Sequence, residues 1–121
     1  MARWLVALLS AVVVFHVLVV LQVVPPEIVW GGRLTSRQEL IRFEAVSITL
    51  NLFMIFVACH PAGFLKVLNT RLIKWLLPIM AALFALNTVG NLLANNPLER
   101  WIFTPLTATL AVLCTLIVRK L

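Results

Sequence analysis

The chain has 121 residues, of which 63% are hydrophobic and only 12% charged, and it carries a formal net charge of +6. A soluble domain has an apolar share of roughly 45–50%, so this composition excludes an ordinary water-soluble fold. In so apolar a chain the positive charge bears on membrane topology, not on nucleic acid, and its distribution matters more than its sum.

Runs free of Asp, Glu, Lys and Arg extend from Trp4 to Pro26, Ala45 to Leu65, Trp75 to Leu98 and Trp101 to Val118. Each is close to the roughly 20 residues that cross the hydrocarbon of a bilayer. The expected fold is an all-α integral membrane protein: one four-transmembrane-helix bundle over residues 1–121. Its helices are expected at about 4–24, 37–59, 71–95 and 97–118. The first run is long for a secretion signal, and Leu21-Gln22-Val23-Val24-Pro25-Pro26 lacks a small-x-small cleavage pattern, so it reads as a retained helix.

Four crossings sort the charges. One side collects Arg3, Lys66, Arg71, Lys74, Arg119 and Lys120 with no acid, and the other collects Arg33, Arg37, Arg42 and Arg100 with Glu27, Glu39, Glu44 and Glu99. The positive-inside rule then puts both termini in the cytoplasm, with the protein integral to the cytoplasmic (plasma) membrane. Trp4 and Trp75 fall at the inner boundary and Trp30 and Trp101 at the outer one, an aromatic belt on each side.

In chain order, the lower part of helix one, Leu5 to Phe15, is apolar apart from Ser10, His16 follows it, and Pro25-Pro26 is expected to end the helix. An intramembrane histidine is either a hydrogen-bonded structural group or an acid, base or ligand. The outer loop carries Trp30-Gly31-Gly32-Arg33, read either as an interfacial anchor and turn or as a lid in which Arg33 closes over an outward-facing site. Helix two opens on the capping box Ser36-Arg37-Gln38-Glu39. Glu44, Ser47 and Asn51 then fall at i, i+3 and i+7, a single stripe on one face, and Glu44 reads either as a buried group with its partner on another helix or as a shallow interfacial carboxylate.

Pro61-Ala62-Gly63 is expected to break helix two, Phe64-Leu65-Lys66-Val67-Leu68 to lie along the surface, and Thr70 to cap helix three. Cys59-His60 is too little for a metal site, and both cysteines fall near the reducing side, where free thiols are expected. In helix three, Asn87 and Asn91 share a face beside Gly90, so a neighbouring helix is expected to pack there. Asn96-Pro97-Leu98-Glu99 starts helix four, and Pro105 is expected to kink it. Thr104, Thr107, Ala108 and Ala111 form a small-residue face.

Depths from the outer ends, at about 1.5 Å per residue, are about 6 Å for Glu44 and Asn91, about 10 Å for Ser47, about 12 Å for His16 and Asn87, about 14 Å for Thr107 and about 16 Å for Asn51. Polar groups from all four helices thus gather in the outer half of the membrane, and the absence of such a layer below argues against a continuous pore. The expected function is an outward-facing polar site that binds or transports a small polar or cationic ligand. Its residues are Glu44, Ser47, Asn51, Asn87, Asn91, Thr107, His16, Arg33 and Trp30. Two alternatives stay open: an accessory subunit of a larger membrane complex or homo-oligomer, and a membrane-embedded enzyme with Glu44 and His16 as acid and base on a lipid-like substrate. No nucleotide loop, metal signature or cofactor motif is present in the sequence.

Overall fold

A computed structural model describes residues 1–21, 23, 36–94 and 96–121. Among these residues every regular element is helical: α1 Ala2–Val20, α2 Arg37–Ala62, α3 Thr70–Leu92, and α4 Thr104–Lys120, the last preceded by a π-helical turn at Glu99–Phe103. All four helical segments are long and apolar enough to cross a membrane. No more than 28% of the most apolar window of any of them is buried within the chain, which leaves hydrocarbon side chains on most of the outer surface. Such a surface is stable in lipid and not in water.

Local chemistry explains most of the ends. Ser36 caps α2, its Oγ accepting from the Glu39 amide at 3.1 Å. The same helix runs through Pro61 to Ala62, past the break expected there, because a proline in the last turn costs little; the helix stops at Gly63, whose φ of 82° suits a residue without a side chain. The cap of α3 is Asn69, not Thr70: its Oδ1 accepts from the Arg71 amide at 2.8 Å. Asn96 Oδ1 accepts from the Leu98 amide at 2.8 Å and starts the fourth segment as its sequence implies. The first helix ends at Val20, short of the prolines, and the third at Leu92.

Just before Pro105, where the sequence leads one to expect a kink, the backbone forms a π turn. Proline has no amide hydrogen for the carbonyl four residues back, and a turn paired at i+5 bypasses the missing donor.

The helices pair as two antiparallel hairpins, α1 with α2 and α3 with α4, which meet each other more sparsely. Arg3 Nε donates to the Ala62 carbonyl at one end of the first hairpin (3.5 Å), and Arg37 donates to the Val20 carbonyl at the other (3.1 Å). One apolar cluster joins the hairpins: Leu5 and Leu9 from α1, Val57 and Ala58 from α2, Ile73 and Leu77 from α3, Leu110 and Cys114 from α4. These residues fill the half of the bundle nearest Arg3 and Ala62. The buried polar residues Glu44, Asn51 and Glu99 lie beyond it toward the other end, so the core closes that layer from below.

Candidate functional site

His16 and Glu44 meet between α1 and α2. His16 Nδ1 lies 2.5 Å from Glu44 Oε2. The glutamate side chain is fully buried and that of the histidine is 16% exposed, so the imidazole is the open side of the pair. Two bare lone pairs would repel at this distance, so a proton lies between the atoms, on one or the other. Phe15, the residue before His16 on α1, stands edge-on to the His16 imidazole at 5.7 Å and packs on Phe103 of the π turn at 4.8 Å. The fourth helical segment therefore reaches the first at this level, through aromatic contact.

The stripe on α2 continues below the carboxylate. Ser47 is half-buried and Asn51 buried. Asn51 Nδ2 donates to the Ser47 carbonyl at 2.7 Å, while its Oδ1 is buried with no hydrogen-bond partner among the described residues. Leaving a buried acceptor unsatisfied costs about 1–3 kcal/mol, so Asn51 holds unused binding capacity on the face that carries Glu44.

A second cluster joins α3 to α4. Thr107 Oγ1 accepts from Asn91 Nδ2 at 3.3 Å and lies 3.0 Å from Thr88 Oγ1. Both threonine hydroxyls also reach carbonyls of their own helices, Thr88 at Phe84 and Thr107 at Phe103, each at 2.8 Å. Such back-bonding satisfies a hydroxyl in hydrocarbon without another helix. Ser10, Thr109 and Thr115 do the same.

Asn87 does not join Asn91. It is exposed, and a side chain built on Gly90 would meet nothing within 4 Å, so no element of the chain among the described residues covers the face expected to be packed. The polar layer is thus divided into the His16–Glu44 pair with the Ser47 and Asn51 stripe, the Thr88–Asn91–Thr107 clasp, and the outward Asn87. Trp30 and Arg33 lie outside the described residues. Phe15 and Phe103 were not singled out in the sequence, and Thr88, within the Asn87-Thr88-Val89-Gly90-Asn91 stretch, was not among the expected site residues although it stands three residues before Asn91 and shares its face.

Two shallow grooves lie on the surface. One of about 590 Å³ runs along α2 past Ala45, Thr49 and Phe53. The other, of about 220 Å³, follows small residues of α3 and α4, including Ala85, Ala111 and Thr115. Neither is lined by His16 or Glu44. Cys59 and Cys114 are free thiols, and no cluster of three His, Cys, Asp or Glu side chains among the described residues forms a metal site.

Fold and site together define an all-helical chain with four segments suited to spanning a membrane and a buried imidazole–carboxylate pair between the first two. No protein-family model matches the chain, and no curated protein or solved structure matches it either.

Proposed function

We propose that the protein is integral to the cytoplasmic membrane, with both termini on the cytoplasmic side, and that the His16–Glu44 pair is the centre of an outward-facing site for a small polar or cationic ligand. The observation that supports this reading is the fully buried carboxylate held by a partly exposed imidazole. Ionisable groups at membrane depth are costly and are kept mainly where they work. A cation that takes the Glu44 carboxylate displaces the imidazole from it, and His16, the more exposed of the two, turns aside with its own proton. The unused Asn51 Oδ1 offers a second acceptor about 10 Å further down the same face, at about 1.5 Å per residue. The same pair also satisfies the reach an acid–base enzyme needs, which keeps that alternative beside the binding reading.

A second reading has its own observation. Asn87 and the open Gly90 turn a polar, small-residue patch outward from α3, as an accessory subunit docking on another membrane helix would require.

Thermal unfolding in detergent against a panel of metal cations and organic amines tests the first reading, using wild type, Glu44→Gln and Asn87→Ala. A stabilisation by a cation in the wild type and in Asn87→Ala, lost in Glu44→Gln, is the expected result. If no cation stabilises the wild type, or if Glu44→Gln responds equally, the pair is a structural pin and the accessory reading takes its place.

A further inference from the structure

At the end of the bundle away from His16 and Glu44, six basic residues gather with no acid among them: Arg3, Lys66, Arg71, Lys74, Arg119 and Lys120, all exposed. The start of α1, the end of α2, the start of α3 and the end of α4 bring them together. The connector 63–69 crosses this end without helical structure. Its origin is fixed by the left-handed Gly63 and by the Phe64 amide, which donates to the Cys59 carbonyl at 3.0 Å. Leu68 packs inward on the core, while Phe64 and Val67 are 55% and 68% exposed on either side of the exposed Lys66. The Arg3 guanidinium lies 5.0 Å from the centre of the Phe64 ring, which ties the start of α1 to the connector.

Apolar and basic side chains interleaved in this way suit the boundary between acyl chains and phosphates, where the former enter the hydrocarbon and the latter stay in the headgroups. Trp4 and Trp75, 69% and 70% exposed at the same end, are side chains that settle at that level. A zwitterionic headgroup layer leaves six uncompensated positive charges, and an anionic one neutralises them. We propose that this end of the bundle is a recognition surface for anionic phospholipids, with the 63–69 connector seated among the headgroups. The surface is separate from the His16–Glu44 site and does not depend on what that site binds.

Lipid-tail quenching of tryptophan reads the proposal directly. The protein carrying Trp30→Phe and Trp101→Phe, so that Trp4 and Trp75 report alone, is placed in phosphatidylcholine nanodiscs containing equal mole fractions of either dibrominated phosphatidylglycerol or dibrominated phosphatidylcholine. Phosphatidylglycerol is expected to associate about twofold or more strongly, with the preference screened by added salt and unchanged when chloride is exchanged for inorganic phosphate at the same ionic strength. Neutralising Lys66, Arg71 and Lys74 together to Gln removes the preference while circular dichroism shows the helices intact. Should the triple variant fail to fold, Lys66→Gln alone, in the non-helical connector, is expected to reduce it in part. Equal quenching by the two lipids overturns the proposal, as does a preference that survives neutralisation. Loss of the preference when inorganic phosphate replaces chloride at constant ionic strength also overturns it, by assigning the surface to a soluble anion.

Discussion

Glu44 Oε2 sits 2.5 Å from His16 Nδ1, a contact 28 residues apart in sequence that joins α1 to α2 on the polar side of the apolar core. Because the carboxylate is fully buried, removing its partner is worse than removing both. His16→Leu is expected to destabilise by about 3–5 kcal/mol, and Glu44→Gln, which keeps a hydrogen bond to the ring, by about 1 kcal/mol. The double variant His16→Leu with Glu44→Leu is expected to recover much of the loss. Unfolding of the four proteins in one detergent checks the cycle, and a double variant as unstable as the sum of its parts contradicts it.

Thr107 receives Asn91 and lies beside Thr88, so Thr107→Val deprives two α3 side chains of their α4 partner. A loss of about 1 kcal/mol is expected, within the range of interhelical hydrogen bonds in membranes. Asn87→Leu is the contrasting case. It is expected to leave the detergent-solubilised monomer within about 0.5 kcal/mol of wild type, since the exposed carboxamide has no packing to lose. If the α3 face docks a partner, the same variant weakens association, measured by crosslinking in membranes.

Leu77 and Leu86 are the same residue type on one helix, with Leu77 fully buried and Leu86 67% exposed. Leu77→Ala is expected to cost about 2–5 kcal/mol through lost contacts and a residual cavity. Leu86→Ala, with lipid or detergent filling the space, is expected to stay within about 0.5 kcal/mol of wild type. Denaturation in mixed micelles separates the two.

Pro105 directly follows the junction between the π turn and α4. Replacing it by Ala supplies an amide that can bond four residues back, and the turn is expected to tighten toward α-helix. Hydrogen exchange should then show a protected amide at position 105. An unprotected amide would mean that packing of Phe103 against Phe15 holds the π turn in place whatever stands at 105.

Much of the fold is legible from local pattern. Charge-free runs locate the four apolar segments, Ser36 and Glu39 mark one helix start, Asn96 another, and the spacing of Glu44, Ser47 and Asn51 places them on one face. These features depend on residues within a turn or two of each other, and helical periodicity alone relates them. Gly63, not Pro61, sets the end of α2 because a proline near the end of a helix forfeits one hydrogen bond, whereas a positive φ cannot continue the helix.

Which groups meet was decided only in three dimensions. The sequence leaves Glu44 open to a partner on another helix or to a place at the interface, and the packing of α1 on α2 buries it and brings His16 to it. Residues four apart on a helix differ by about 40° around its axis, so Asn87 and Asn91 straddle the edge of the α3–α4 contact, one outside and one bonded to Thr107. Hydropathy cannot locate that edge. In a helix suited to lipid, the side chains that face the core and those that face outward are equally apolar, as Leu77 and Leu86 are, and only the position of the neighbouring helix tells them apart.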